Sequence, residues 1–535
     1  MFFSCNLLYM NILEVKNLSI YFNTNKDNQI LAASNINFSI SKGETLSIVG
    51  ESGSGKSITG LSIMKLLPYP MAGHGSESKI LFKGEDILQK SKLQMRKLRG
   101  KKISMIFQEP MTSLNPFLKC GEQIKESIFS RSTSLDRKSR VMELLEEVEF
   151  EDPKKIFNSY PHQISGGQRQ RVMIAMAISN EPDLLIADEP TTALDVSVEQ
   201  SLLVLLKKIQ KKMGMSIIFI SHDLNIVRKI SDRVLVMQKG EIKEENSMNE
   251  IFQNPKDPYT QRLMNSSPEP KLGTKDINNE ILKISSLNLT YSKRDFIGRT
   301  SNFSALKNIN LSLKENSALG LVGESGSGKS SLARSILGIE KFSGEIFFKD
   351  KNILNYNNKE KKLFKKNCQL VFQDPFSSLS PRQRIFDIVK EGLDIHESSL
   401  NLLQKKEKVL KVLEDVKMDE SCLTKFPHEF SGGQRQRIAL AKVLILEPEF
   451  LILDEPTSAL DISIQKEIIN LLLDLQSKRG LSYLLISHDL KVINAIADEI
   501  VVLKSGKIVE QGKRDDIFYN AKEQYTKSLI HAAYN

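Results

Sequence analysis

Cysteine is scarce: four residues (Cys5, Cys120, Cys368, Cys422) in 535, with no C-x-x-C pair and no metal-ligand spacing. That excludes a disulfide framework and fits free structural thiols in a reducing compartment. Long apolar runs are missing too. No stretch approaches the roughly 20 apolar residues of a membrane-spanning helix, so any membrane role must run through a partner. A dense basic block is also absent. The 75 Lys and Arg against 65 Asp and Glu give a net charge of +10, but they are scattered along the chain. Such a charge attracts anionic surfaces weakly and assigns no nucleic-acid partner. The apolar start, Met1 to Met10, has no leading Lys or Arg, is broken by Asn6 and lacks a small-residue cleavage site. It is therefore not a signal peptide, and Met10 reads as the natural start.

What the chain has is length and repetition. At 535 residues it exceeds one ordinary core, and two or more domains are expected. One set of motifs runs Gly50-Glu51-Ser52-Gly53-Ser54-Gly55-Lys56-Ser57, then Gln108, Ser165-Gly166-Gly167-Gln168, Asp188-Glu189 and His222. A second runs Gly323-Glu324-Ser325-Gly326-Ser327-Gly328-Lys329-Ser330, then Gln373, Ser431-Gly432-Gly433-Gln434, Asp454-Glu455 and His488. A lone G-x-x-x-x-G-K-[ST] is a weak signal. Five elements in one order, twice, are not chance.

Each half reads as strands alternating with helices, an α/β pattern. Leu46–Val49, Leu184–Ala187, Ile217–Ile220 and Val234–Met237 are short, almost wholly apolar runs, as are Leu319–Val322, Phe450–Leu453, Tyr483–Ile486 and Ile500–Leu503. Such runs suit parallel strands covered on both faces. Helical pattern runs from Lys56 to Leu67, where Pro68 stops it. The spacing from Lys56 to Lys329 exceeds that from Asp188 to Asp454, which places a few extra residues in the first half around Pro68–Ser78. The expected organisation is a first domain over 10–265, a polar linker over 266–280 and a second domain over 281–535.

Each motif implies a chemistry. A glycine loop between a buried strand and a helix turns its N–H groups, and the positive end of the helix, toward bound phosphate. Gly50, Gly53 and Gly55, with Gly323, Gly326 and Gly328, supply those turns. Lys56 and Lys329 would neutralise the β/γ-phosphates, and the hydroxyls of Ser57 and Ser330 would ligate Mg²⁺. Asp188 and Asp454 end apolar strands, where a carboxylate reaches the metal; Glu189 and Glu455 follow as general bases for the attacking water. Ser165 with Gln168, and Ser431 with Gln434, match a helix-capping pattern. Gly166, Gly167, Gly432 and Gly433 leave bare N–H groups at those helix mouths, where a donor to a transition state is worth about 3–4 kcal/mol. His222 and His488 sit in Ser-His-Asp-Leu, and three consecutive residues cannot converge as a nucleophilic triad. Contact with the γ-phosphate is the expected role. Gln108 and Gln373 gain weight from their place between the other elements.

These motifs resemble the nucleotide-binding domains of ABC transporters over almost the whole chain. The resemblance implies two tandem P-loop domains, each with a mostly parallel sheet core, an antiparallel β subdomain and a helical subdomain. It implies ATP and Mg²⁺, the metal held by Ser57, Gln108 and Asp188 and by Ser330, Gln373 and Asp454. It also implies loops at Asp195 and Asp461, adenine stacking on Phe22 and Tyr291, and face-to-face closure pairing Lys56 with Ser431 and Lys329 with Ser165.

Finer features resemble the oligopeptide/dipeptide importer ATPases: Phe107-Gln108-Glu109-Pro110-Met111-Thr112-Ser113-Leu114-Asn115-Pro116, Arg171-Val172-Met173-Ile174-Ala175-Met176-Ala177 and Asp257-Pro258-Tyr259-Thr260. The fused halves and Gln524-Tyr525-Thr526 are similar to single-chain ATPases of microcin C-type and glutathione importers. The cysteine cluster of some relatives is missing after the Pro-Tyr-Thr segment, so no iron–sulfur centre is expected.

The resemblance implies an ATP-hydrolysing energy-coupling subunit of a bacterial importer for short peptides or peptide-like compounds. Its partners would be two integral-membrane permease subunits, engaged through the segments after Gln108 and Gln373, and a periplasmic substrate-binding protein. One fused chain would serve each transporter from the cytoplasmic face of the inner membrane, with no nucleic acid bound. The alternatives are import of glutathione, nickel, a sugar or another small solute, or a soluble twin-ATPase acting on ribosomes or nucleic acid. The last class usually carries a long charged linker or zinc inserts, and this chain has neither.

Overall fold

Short apolar runs become buried parallel strands, as their lack of polar alternation requires. In a computed structural model, the described residues are 11–25, 28–108, 113–129, 134–192, 194–265, 268–271, 279–294, 300–374, 378–458 and 460–534. The expected start at Met10, Cys5, most of the linker, Ala193, and the segments directly after Gln108 and Asp374 lie outside them. The chain divides into two compact units, one of residues 1–194 and 198–266 and one of residues 195–197 and 267–535.

The first unit has strands β1 (Asn11–Asn25), β2 (Asn28–Ser41), β3 (Thr45–Val49), β4 (Ala72–His74), β5 (Lys79–Phe82), β6 (Glu85–Asp86), β7 (Ile103–Ile106), β8 (Leu184–Asp188), β9 (Ser216–Ser221), β10 (Arg233–Gln238) and β11 (Glu241–Ser247). They form two sheets. One has the order β2-β1-β5-β6 with β4 added to β1, and its pairings are antiparallel. The other has the order β11-β10-β3-β9-β8-β7 and is parallel except for the edge pair β10–β11. Leu13, Ile20, Leu46 and Ile48 join the core between the sheets. A second core, with Ile124, Leu144, Val172 and Leu205, holds the helices Cys120–Ser127, Ser134–Glu147 and Gly166–Ile178.

The second unit repeats this plan with β12 (Glu280–Arg294), β13 (Thr300–Lys314), β14 (Ala318–Val322), β15 (Ser343–Phe348), β16 (Lys351–Asn352), β17 (Cys368–Val371), β18 (Phe450–Asp454), β19 (Ser482–Ile486), β20 (Glu499–Lys504) and β21 (Lys507–Lys513). Its sheets have the orders β13-β12-β15-β16 and β17-β18-β19-β14-β20-β21. The extra residues of the first unit form β4, which pairs Ala72 with Phe22.

One helix is shorter than its sequence pattern. It runs from Lys56 to Ile63, and Pro68 is not what stops it. Lys65 takes a left-handed conformation (φ 50°), and the Leu66 N–H closes back on Leu61 O at 2.9 Å. That is a Schellman-type end. Lys65 Nζ holds it by donating to Leu88 O and Lys90 O at 2.7 and 2.8 Å.

Three cysteines, Cys120, Cys368 and Cys422, are free and buried. Burial raises the Cys120 thiol to about 11 and pushes Cys368 upward as well. Among the described residues no helix is long and apolar enough to cross a membrane.

Candidate nucleotide site

Four neighbouring parallel strands deliver the site. β3 runs into the glycine loop, β9 ends one residue before His222, β8 ends in Asp188, and β7 ends two residues before Gln108. Ligands of open α/β sheets collect at these carboxyl ends, where neighbouring strands present their loops together. β14, β19, β18 and β17 do the same for the second glycine loop, His488, Asp454 and Gln373.

The loop turns where only glycine fits. A Cβ on Gly50 (φ 150°) would lie 2.1 Å from Met237 O, and one on Gly323 (φ 150°) would lie 2.2 Å from Leu503 O. Gly53 and Gly55, like Gly326 and Gly328, also hold positive φ, and Gly55 and Gly328 stand at the N-caps of the following helices. Lys56 and Lys329 are buried at the first position of those helices. Lys56 Nζ donates to Gly50 O at 2.6 Å and Glu51 O at 2.8 Å; Lys329 Nζ donates to Gly323 O at 2.6 Å and Glu324 O at 3.0 Å. Each ammonium thus lies folded over its own loop.

The acidic pairs divide their tasks by environment. Asp188 is buried, which pushes its carboxyl up to about 6, while Ser57 Oγ donates to Oδ1 at 3.0 Å. Burial also raises Asp454, opposed by a hydrogen bond from Ser330. Burial would raise Glu189 as well, but hydrogen bonds from His222, Thr192 and Gln108 override it and hold it at about 2. Gln108 Nε2 donates to Oε2 at 2.9 Å, Thr192 Oγ1 donates to the same oxygen at 3.0 Å, and His222 Nδ1 lies 3.1 Å from Oε1. Glu455 is likewise lowered against burial, chiefly by His488, with Gln373 Nε2 donating to Oε2 at 2.6 Å and His488 Nδ1 at 3.2 Å from Oε1. Its carboxylate in turn raises His488 above its ordinary value, against burial.

Hydroxyl and carboxylate oxygens at the mouth of a phosphate loop are the hard donors a magnesium ion takes. A desolvated Asp188 paired to Ser57 fits such an ion, and so does Asp454 with Ser330.

The histidine motif is not a triad. Asp223 caps the next helix by accepting from the Asn225 N–H at 2.7 Å, and Ser221 Oγ accepts from the Asp223 N–H at 3.0 Å.

In each signature the serine and glutamine close a reciprocal cap. Gln168 N–H donates to Ser165 Oγ at 3.3 Å and Ser165 N–H to Gln168 Oε1 at 3.0 Å; Ser431 and Gln434 do the same at 3.4 and 3.1 Å. Gly166 is exposed at the mouth of its helix and Gly432 half-buried. Gly167 and Gly433 have a second reason to be glycine. A Cβ there would lie 2.4 Å from Val198 Cγ1 or from Ile464 Cγ2.

Phe22 pairs with Ile30 and Ala72 in its sheet and packs against the core. Tyr291 pairs with Phe303, and its hydroxyl donates to Ser331 Oγ at 3.3 Å. Sequence reasoning missed Thr192 as a partner of Glu189. The two halves differ there, Thr192 against Ser458, and Ser458 Oγ bonds the Glu455 carbonyl instead. That difference was the available signal.

Comparison with known proteins matches these sites to a family. A model described as ABC transporter matches residues 33–192 and 306–458, and one described as oligopeptide/dipeptide transporter, C-terminal region, matches 244–289. The chain is 44% identical to the peptidoglycan transport ATP-binding protein YejF of Agrobacterium fabrum, over 98% of this chain and 96% of the relative. It is 42% identical to the uncharacterized ABC transporter ATP-binding protein YejF of Escherichia coli, over 97% of this chain and 99% of that one. It is also 42% identical to the glutathione import ATP-binding protein GsiA of Shigella dysenteriae, over 98% of this chain and 89% of that one.

Proposed function

This chain belongs to the ABC transporter family, and from that premise we propose a reading of its two sites and its cargo. It is the ATP-binding, ATP-hydrolysing energy-coupling subunit of an importer and works with permease partners. The cargo is a short peptide or peptide-like compound. The match to the oligopeptide/dipeptide C-terminal region supports that reading, as do relatives named for peptidoglycan transport and for import of glutathione, itself a small peptide. A periplasmic protein delivers the cargo, and one fused chain, with domains over 10–265 and 281–535 joined by 266–280, serves each transporter from the cytoplasmic face.

At each site the loop N–H groups and Lys56 or Lys329 bind the β/γ-phosphates, the lysine exchanging loop carbonyls for phosphate oxygens. Phe22 and Tyr291 stack on adenine. Magnesium, held by Ser57, Asp188 and Gln108 or by Ser330, Asp454 and Gln373, supplies charge neutralisation at the phosphates. Glu189 and Glu455 orient the attacking water and accept its proton. Hydrogen-bonded as they stand they are ionised but weakly basic, and transfer of Gln108 and His222 to the nucleotide strengthens the base. The helix-mouth N–H groups of Gly166 and Gly167, capped by Ser165 and Gln168, and those of Gly432 and Gly433, capped by Ser431 and Gln434, serve as donors to a nucleotide γ-phosphate.

The observation that carries this reading is a half-buried glutamate held by a glutamine and a histidine beside a hydroxyl–aspartate pair, built twice. Phosphate release from Glu189→Gln, Glu455→Gln and the double variant tests it. Full turnover in the double variant excludes these bases. Uptake of toxic peptides and of glutathione in a deletion strain identifies the cargo, and unchanged uptake of both excludes the peptide reading.

A further inference from the structure

The Pro-Tyr-Thr segment and its counterpart Gln524-Tyr525-Thr526 are absorbed by no step above, yet the structure ties both to the phosphate loops. Tyr259 is 5% exposed, on a helix from Pro258 to Met264 that Asp257 caps by accepting from the Tyr259 and Thr260 N–H groups. Its hydroxyl accepts a hydrogen bond from the Glu51 N–H at 3.2 Å. Glu51 is the second residue of the glycine loop, and its carbonyl is one of the two that hold Lys56 Nζ.

The second unit builds the same link. Tyr525, on the helix Gln524–Tyr534, accepts from the Glu324 N–H at 3.2 Å, and the Glu324 carbonyl holds Lys329 Nζ at 3.0 Å. Lys504 Nζ lies 4.4 Å from the centre of the Tyr525 ring.

Each tyrosine is anchored from behind in a matching way. Glu244, on β11, accepts from the Lys256 and Asp257 N–H groups with its two oxygens, both at 3.0 Å. Glu510, on β21, accepts from the Lys522 and Glu523 N–H groups at 2.7 and 3.2 Å. The chain is therefore gripped just before each helix, and the ring is carried to a fixed point beside the loop. A tight loop stripped of such a partner has one N–H returned to water and one peptide plane free to rotate, which spreads the orientations its phosphate-binding neighbours sample.

We propose that Tyr259 and Tyr525 are positioning residues for nucleotide binding, holding the Gly50–Glu51 and Gly323–Glu324 peptides of the phosphate loops from outside the ABC core. The Glu244 and Glu510 carboxylates are the fixed ends of these struts. The inference rests on the reading that the two glycine loops bind the nucleotide phosphates. It assigns the C-terminal segment of each half a role in ATP affinity, whatever the cargo.

The test uses the full chain. Tyr259→Phe/Tyr525→Phe keeps both rings and deletes only the hydroxyls; Glu244→Gln/Glu510→Gln loosens the anchors and leaves the hydroxyls. Lys56→Ala/Lys329→Ala reports on the loops themselves. Affinity is read with a fluorescent N-methylanthraniloyl ATP, KM and kcat from phosphate release, and folding from the thermal transition. The loss of one hydrogen bond per loop is expected to raise Kd and KM for ATP about threefold to tenfold in the tyrosine variant, with kcat and melting temperature held. The glutamate variant should move Kd in the same direction by less. Unchanged Kd and KM in the tyrosine variant, with binding lost in the lysine variant, overturn the strut while leaving the loops as phosphate sites. So does a Kd change that appears only with a fallen melting temperature. Binding retained in the lysine variant removes the reading beneath it.

Discussion

Gly433 has two candidate reasons to be glycine, and one substitution separates them. As a bare N–H donor it would tolerate alanine, since alanine keeps its N–H. As a packing glycine it would not. An alanine Cβ would sit 2.4 Å from Ile464 Cγ2, about 1 Å inside ordinary contact, and Gly433 is buried. Overpacking of that kind costs about 1–3 kcal/mol. Alanine also regains about 0.5–1 kcal/mol in a helix, so the net destabilisation of Gly433→Ala is about 0.5–2 kcal/mol. In a unit of this size that lowers the melting temperature by about 2–6 °C. Adding Ile464→Ala removes the clashing methyl, so the double variant should show a favourable coupling of about 1–2 kcal/mol. Calorimetry of the four proteins gives the cycle, and phosphate release gives function. On the packing reading ATPase falls in the single variant and recovers in part in the double. Gly167→Ala with Val198→Ala, where the contact is also 2.4 Å, should repeat the result. A single variant as stable as the parent, or a double variant with additive losses, refutes it.

Glu189→Gln/Glu455→Gln should lower phosphate release at least about a hundredfold while ATP binding survives, since a positioned base contributes about 10²–10⁴. Asp188→Asn should stabilise the nucleotide-free protein above pH 6, because the raised carboxyl favours the folded state only when protonated. The gain, at most about 3 kcal/mol, is nearly full above about pH 6, fades as pH falls from there toward the ordinary aspartate value, and is read by melting in EDTA from pH 7.5 to 4. Lys271 reaches Asp498 at 2.8 Å and Gln476 at 3.2 Å, so Lys271→Ala should speed proteolytic cleavage near the seam without changing ATP affinity. In a Cys5→Ala background, maleimide should leave Cys120, Cys368 and Cys422 unmodified in the native protein and label three thiols in denaturant.

Much of this protein is legible in its residues one neighbourhood at a time. Apolar runs such as Leu184–Ala187 name parallel strands because a strand buried on both faces has no place for polar alternation. The glycine loop, the S-x-x-Q caps and the Asp-Glu pairs are local because each depends on residues a few positions apart. The sheet order is not legible in this way, because which strand ends become neighbours is set by pairing across the whole unit.

What folding alone decided are the meetings of distant residues. Pro68 looked like the helix stop, but the backbone reversed at Lys65, whose ammonium found carbonyls at Leu88 and Lys90. Gly167 and Gly433 looked like bare donors until Val198 and Ile464 arrived against them from a later helix. Thr192 acquired a role, and Ser458 a different one, only when a hydroxyl came within reach of a carboxylate. Tyr259 joined Glu51 across 208 residues. No spacing rule encodes such pairs, because packing sets which side chains share a few ångströms, and packing is a property of the whole unit.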